Sequence, residues 1–235
     1  MTKALWDSVR IWGAANGFTD LPTGVGKGAT HPVLAISWYS MVKWCNARSQ
    51  RDGLTPCYTV SGAVYKTGSS DAVVCNWAAS GYRLPTEAEW EKGARGGLTG
   101  KRFSWGDTIR HAQANYYASG TNFGNVSGNA GFHPNYTAGG SPYSSPVGSF
   151  APNGYGLYDM AGNMWEWVWD WYGSGYYASS PSADPRGPSS GSYRIYRGGY
   201  WGLHAFNCRV AYRFSTYPDN SNNNFGFRLA RSSRP

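Results

Sequence analysis

Cysteine and histidine are the side chains best suited to nucleophilic catalysis and to binding metal ions, and this chain contains four of each. None of them forms a C-x-x-C pair or another closely spaced ligand set. Zinc sites and thiol redox sites require such spacing, so the sequence contains a motif for neither. These residues are Cys45, Cys57, Cys75, Cys208, His31, His111, His133 and His204.

Cys57 and Cys75 flank an apparent hairpin made of residues 58–64 and 72–74, with a turn at Thr67-Gly68. Two alternatives follow from their positions. The thiols could face each other and form a bridge, or they could be buried as free thiols, and burial as free thiols is favoured.

Residues 194–229 carry side chains suited to molecular recognition. Gly198-Gly199, Pro218 and Gly226 mark turns there. The residues between the turns mix Tyr, Leu, His, Phe, Ser and Thr with no helical or strand period. Irregular side chains mounted on a rigid support are typical of recognition surfaces, so the segment is predicted to form one.

The composition predicts a single domain over residues 1–235 with many turns. The chain is 41% hydrophobic, 17% aromatic and only 14% charged, and it contains 32 glycines. An all-helical protein would need abundant Glu, Lys and Leu, and an all-helical fold is therefore not expected. No signal peptide or transmembrane run is present, so a cell-surface or extracellular location would follow only if an upstream targeting segment had been removed.

The net charge of +8 raises the question of nucleic acid binding. The arginines of the C-terminal part stand singly among glycine, aromatic and small residues. Pairing with carboxylates or carbonyls inside the fold explains such arginines at least as well as phosphate contacts do, and nucleic acid is not the expected partner. The arginines concerned are Arg197, Arg209, Arg213 and Arg228.

Three helices are expected to position these segments. The first carries Leu5, Val9 and Trp12 and stops at Asn16-Gly17. The second is expected to begin at the N-cap Ser37 and to end at Asp52-Gly53. The third is expected to begin at the capping box of Thr86 and Glu89 and to end at Gly96-Gly97.

Residues 102–148 lack any period but contain many aromatic residues, which predicts an ordered loop pinned to the domain. In the next segment tryptophans alternate at Trp165, Trp167, Trp169 and Trp171. This period of two predicts a strand whose tryptophan face belongs to the core, with sugar stacking on exposed tryptophans as the alternative.

Four stretches of the sequence closely resemble the formylglycine-generating enzyme family. They are residues 81–91 (GYRLPTEAEWE), 154–167 (GYGLYDMAGNMWEW), 197–201 (RGGYW) and 226–228 (GFR). The resemblance covers nearly the whole chain. It implies an α+β fold of the C-type-lectin-like kind, with a small twisted antiparallel sheet, two or three helices and long loops.

The family's oxidases use two nearby cysteines after the Gly-Gly turn to hold copper and attack a substrate thiol. In this chain Leu203 and His204 occupy the zone of the first cysteine, and only Cys208 lies near the second. One sulfur cannot supply paired thiolate ligation. The resemblance therefore predicts a protein that is not an enzyme. A copper-dependent oxidase or thiol-modifying enzyme acting through Cys208 is the alternative, and a carbohydrate-binding module is another.

Asn163 and Glu166 match positions that help to form a calcium site in some relatives. Oxygen ligands suit that ion. The alternative, which we favour, is that Asn163 caps a turn and Glu166 pairs with a buried arginine. No other cofactor is expected.

The final segment also resembles the variable region of proteins diversified by retroelements, in which adenines of Asn codons are replaced. Such codons cannot yield Trp, Lys, Glu, Gln or Met, and residues 202–235 contain none of these five. The chance expectation of that absence is roughly 0.01.

On this interpretation the protein binds a macromolecular ligand, most readily another protein, and acts as a monomer. The exposed, diversified set is predicted to be Tyr200, Gly202, Leu203, His204, Phe206, Tyr212, Phe214, Ser215, Thr216 and Tyr217. Tyrosine and phenylalanine supply large contact areas with few rotatable bonds, as they do in antibody paratopes.

Overall fold

Short strands and three longer helices form the framework of the protein in a computed structural model that describes residues 1–119 and 130–232. None of the helices in these ranges is long and apolar enough to cross a membrane. The helices are α1 (Lys3–Ala14), α2 (Trp38–Arg51), α3 (Glu87–Arg95) and α4 (Tyr176–Ser179), and the strands are β1 (Tyr58–Val60), β2 (Ala63–Val64), β3 (Val74–Cys75), β4 (Tyr82–Arg83), β5 (Trp165–Trp171), β6 (Arg194–Arg197), β7 (Arg213–Thr216), β8 (Phe225–Phe227) and β9 (Ala230–Arg231).

The central sheet has the strand order β7-β6-β5-β8. Strand β6 is antiparallel to both of its neighbours, and β5 runs parallel to β8. The predicted α+β class of the C-type-lectin-like kind is confirmed, but the central sheet is mixed, because β8 returns to the sheet beside β5 in the same direction. Two smaller sheets, β2-β1-β3 and β4-β9, lie outside it.

Both faces of the central sheet are covered. On one face Trp165, Trp167 and Tyr196 pack with the aromatic residues of β8 and with α1 and α2. On the other face Val168 and Ile195 pack against Trp90 of α3. The alternating tryptophans of β5 therefore belong largely to the core, as their period predicts.

The helix bounds follow the capping signals of the sequence. Ser37 accepts a hydrogen bond from the backbone of Ser40 at the start of α2. At the start of α3, Thr86 and Glu89 form the reciprocal capping box, and the helix ends at Gly96 in the left-handed conformation. These local signals do not depend on the rest of the fold, which is why the sequence sufficed to predict them.

The antiparallel pairing predicted after α2 forms between β1 and β3, but the chain makes an additional turn that was not predicted. The chain reverses at Ser61-Gly62, where both residues have positive φ, of 49° and 80°. Strand β1 then pairs with β2 on one side and with β3 on the other. Residues 58–64 thus form two strands instead of one, since a tight two-residue turn of this kind accommodates the twist of the strands.

All four cysteines are buried free thiols. Cys75 pairs in register with Tyr58, the residue after Cys57. Of the two alternatives for Cys57 and Cys75, the structure contains the free thiols.

Asp170 links the central sheet to α3, and it is expected to make stability depend on pH. Its carboxylate accepts a hydrogen bond of 2.7 Å from the backbone nitrogen of Glu87, the first residue of α3. Burial raises the pKa of Asp170 to about 7, and the negative charge of Glu87 adds to this, while the Glu87 hydrogen bond, Arg194 and Arg213 oppose it.

Because the folded pKa of Asp170 lies above the unfolded value, its contribution favours folding at low pH and is lost as the pH rises towards 7. Asp170→Asn keeps the acceptor for Glu87 but removes the titration. We therefore expect the unfolding free energy of this variant, taken relative to that of the wild type, to rise by roughly 2–4 kcal/mol as the pH is raised from 4 to 8. Urea unfolding at both pH values measures this, and a stability difference independent of pH would contradict the assignment.

Candidate recognition surface

Arg197 is the buried anchor of residues 209–213. Its side chain is fully buried and donates to the carboxylate of Glu91, to the carbonyl of Tyr212 at 2.7 Å and to the carbonyl of Val210 at 2.9 Å. Arg213 continues the network through two hydrogen bonds of 2.8 and 2.7 Å to Glu87. Charge-assisted hydrogen bonds of this geometry fix the backbone that leads into β7.

The Gly198-Gly199 turn directly follows this anchor. Both glycines have positive φ, of 95° and 78°. A Cβ on Gly199 would lie 2.6 Å from the sulfur of Cys208 and 3.1 Å from the carbonyl oxygen of Asn207. The turn therefore requires glycine for its conformation and for the close approach of residues 207–208.

None of the ten predicted recognition residues is buried. His204, Phe214 and Tyr217 are exposed, and Phe214 and Tyr217 show 53% and 56% of their surface to solvent. The other members are half-buried: Tyr200, Gly202, Leu203, Phe206, Tyr212, Ser215 and Thr216.

The exposed part of this set is narrower than the sequence predicts. Tyr200, Leu203 and Tyr212 are half-buried because they pack against the main core. The ring of Tyr212 also stacks on Trp165, with 6.0 Å between ring centres. Their role in ligand binding stays a prediction.

The ring of Tyr200 limits the space for a side chain at position 202. A Cβ on Gly202 would lie 2.6 Å from the ring edge of Tyr200. Unlike Gly199, Gly202 does not have a left-handed backbone, and its close neighbour is the end of a half-buried side chain. A larger residue at position 202 therefore requires only that the ring of Tyr200 turns aside.

Regular structure is more extensive in this segment than predicted. Strands β6, β7 and β8 all lie within residues 194–229, and residues 205–208 form a 3-10 helix. In β7, Phe214 lies opposite Tyr196 and Ser215 lies opposite Ile195. Because β7 is an edge strand of only four residues, its sequence is too short to display a period.

An aromatic cluster that includes residues from the long loop adjoins the segment, and the sequence did not identify its place. The backbone nitrogen of Tyr117 donates to the carbonyl of Leu203 at 2.9 Å, and the rings of Tyr117 and His204 are 5.4 Å apart. Phe132 contacts both Tyr117 and Tyr143, and Tyr143 contacts Trp201. The aromatic content predicts an ordered loop over residues 102–148, of which residues 120–129 lie outside the described residues, and only the fold shows where the described part docks.

Cys208 does not have the environment of a reactive thiol. Its side chain is fully buried, and burial raises the pKa of its thiol to about 12. A thiolate is the species that attacks substrates and binds copper. Among residues 1–119 and 130–232, no cluster of three or more His, Cys, Asp or Glu side chains is arranged to hold a metal ion. The position therefore does not fit the paired-thiolate copper site of the family's oxidases.

Asn163 and Glu166 are both engaged with protein partners. The side-chain oxygen of Asn163 accepts from the backbone nitrogen of Ser145 at 2.9 Å. Glu166 accepts from Arg228 at 2.5 and 2.9 Å and from the indole of Trp90 at 2.7 Å. These hydrogen bonds are the ones that the second alternative requires, and the absence of a cofactor stays our prediction.

The four arginines that stand singly in the sequence have partners inside the fold. Arg228 pairs with Glu166, and Arg209 donates to the carbonyl of Phe206 at 3.0 Å while lying over its ring. Together with the contacts of Arg197 and Arg213, these pairings explain the basic character of the segment without phosphate contacts.

Comparison with known families identifies the domain. The sulfatase-modifying factor enzyme 1-like domain matches residues 13–233. The chain belongs to this family. The formylglycine-generating enzyme of Streptomyces coelicolor is 43% identical over 170 residues, which cover 71% of this chain and 51% of the enzyme. The enzyme of Bos taurus is 36% identical over 208 residues, which cover 86% of this chain and 53% of the enzyme.

The chain thus spans about half the length of these curated relatives. Among solved structures, Treponema denticola variable protein 1 is similar, with a TM-score of 0.70 and 29% identity. The similarity covers 98% of this chain and 81% of that protein. Both resemblances noted in the sequence, to the family and to diversified variable proteins, are confirmed.

Proposed function

We propose that this domain is a non-catalytic binding protein whose residues 194–229 form a recognition surface diversified by a retroelement. One observation carries the proposal. Within this single segment, Arg197 and the Gly198-Gly199 turn are buried and fixed by the fold, whereas His204, Phe214 and Tyr217 point into solvent. A segment built in this way can change its surface while it keeps its backbone.

The chemistry of the surface suits a macromolecular ligand, and we expect a protein. Phe214 and Tyr217 offer large, rigid contact areas, and Ser215 and Thr216 stand between them in the chain. Aromatic anchors among small polar groups are typical of protein-binding surfaces. The likeness to a variable protein supports ligand binding in general.

An enzymatic function is the alternative, since formylglycine-generating enzymes are relatives of this chain. The test is incubation of the protein with copper and a cysteine-containing sulfatase peptide, followed by mass spectrometry for the aldehyde. We expect no product. Turnover that disappears in Cys208→Ala would overturn the non-catalytic proposal.

Sequencing the surroundings of the gene tests diversification directly. We expect a near-copy of the codons for residues 202–229 that differs only at adenines, next to a reverse transcriptase gene. Differences spread over all four bases, or no near-copy at all, would contradict diversification by a retroelement. The result bears on the origin of the surface and leaves the aldehyde assay as the independent test of catalysis.

A further inference from the structure

A separate cavity lies beside α3, outside the recognition surface. Its volume is about 780 Å³, and its lining is made by Trp77, the first two turns of α3, residues 182–186 and the end of the described chain near Arg231. Small-molecule sites commonly have volumes of roughly 300–1,000 Å³. None of the contacts described for residues 194–229 involves this cavity.

Positive charge converges on this cavity. Its cations are Arg83, Lys92, Arg186 and Arg231, and its carboxylates are Glu89 and Asp184. Glu89 is already bound to Arg83 through two hydrogen bonds of 2.6 and 2.7 Å.

The remaining cations are not neutralised. Within the part of the chain that the structure describes, Lys92, Arg186 and Arg231 form no ion pair. Asp184 is therefore the one carboxylate among the described lining residues that is left to balance these three cations. The cavity thus carries a net positive charge that an anion would offset.

Each guanidinium group has a contact that orients it before any ligand arrives. Arg186 lies 4.4 Å from the ring centre of Trp77, and Arg83 lies 5.1 Å from the same ring. Arg231 donates to the carbonyl of Ser80 at 2.9 Å. Groups fixed in this way lose little conformational entropy on binding.

We propose that this cavity binds a small molecule that carries two or more phosphate groups. Guanidinium groups donate paired hydrogen bonds to phosphate oxygens, and an ammonium group adds a strong point charge. Several cations against one free carboxylate match a ligand with more than one negative charge. This site goes beyond the recognition function and does not depend on it.

A second cavity would receive the rest of such a ligand. Its volume is about 530 Å³, and it shares Ala88, Lys92 and Pro185 with the first. Tyr155 and Tyr177 contribute to its lining. A ligand with an aromatic group attached to its phosphates could therefore place that group among the tyrosines.

Isothermal titration calorimetry at low ionic strength, with inorganic pyrophosphate and with ATP as the probes, tests the proposal. We expect the wild type to bind both. The variant Lys92→Ala/Arg186→Ala/Arg231→Ala should bind at least tenfold more weakly. ADP, which like pyrophosphate has two phosphate groups, tests the second cavity: ADP binding at least threefold tighter than pyrophosphate would assign that cavity to the nucleoside, and equal affinities would confine the ligand to its phosphates.

The matched control removes the same number of charges elsewhere, in Lys101→Ala/Arg102→Ala/Arg110→Ala, whose side chains are all exposed. It should bind as the wild type does. Far-UV circular dichroism checks that both variants fold. Absence of binding by the wild type, or equal weakening in the two triple variants, would overturn the proposal, because only the cations of the cavity should matter.

Discussion

Replacing Arg197 with methionine is expected to lower the free energy of unfolding by about 3–5 kcal/mol, because the change removes a buried charge from its network and leaves buried acceptors unsatisfied. Arg197 is fully buried and joins Glu91 of α3 to the carbonyls of Val210 and Tyr212. Methionine fills part of the volume but leaves the two carbonyls without their donor, and Glu91 keeps only Arg95 as its partner. Chemical denaturation measures the loss.

Arg209→Met is the control for this prediction. Arg209 lies in the same segment but is only half-buried, and it donates to the carbonyl of Phe206 and contacts the ring of that residue. Its replacement should cost about 1 kcal/mol or less. Equal losses in the two variants would mean that Arg197 does not anchor the segment.

Replacing Gly199 with alanine should cost about 2–4 kcal/mol, through strain at positive φ and through overpacking. The new Cβ would lie 2.6 Å from the sulfur of Cys208 and 3.1 Å from a backbone oxygen, and backbone atoms cannot easily retreat. Gly202→Ala is a matched control, because its Cβ also meets an atom at 2.6 Å, but that atom belongs to the ring edge of Tyr200. We expect the control to lose no more than about 1 kcal/mol.

The double variant Gly199→Ala/Cys208→Ala separates the two causes. Removing the sulfur should restore the part of the loss that comes from steric contact, and the strain at positive φ should remain. Thermal unfolding of the two single variants and of the double variant gives this coupling. Purely additive losses would show that contact with Cys208 plays no part.

Local signals explain what the sequence predicted well. The capping box of Thr86 and Glu89 and the period of two in Trp165–Trp171 depend on neighbours in the chain, and both elements form as expected. The turn at Ser61-Gly62 was missed, because the pairing of β1 with strands on both sides is decided by contacts that are distant in sequence.

The rest of the candidate site depends on contacts between residues that are distant in the sequence. The sequence indicated that the arginines of residues 194–229 pair inside the fold, but it did not identify Glu87, Glu91 or Glu166 as their partners. It also gave no sign that Tyr117 lies beside His204, since this contact brings the long loop onto the segment. Long-range contacts also explain why the recognition residues are less exposed than predicted. The core against which Tyr200 and Tyr212 pack is assembled from α1, α2 and the central sheet.

We propose that stability and recognition are carried by different residues within residues 194–229. The most direct measurement compares His204→Ala/Phe214→Ala/Tyr217→Ala with Phe227→Ala, which removes an aromatic ring that is 1% exposed. The triple variant should lose about 1–2 kcal/mol, or a few degrees in melting temperature, and the single variant about 3–5 kcal/mol. If the triple variant were destabilised as strongly as Phe227→Ala, the exposed side chains would be part of the folding core, and the claim would be wrong.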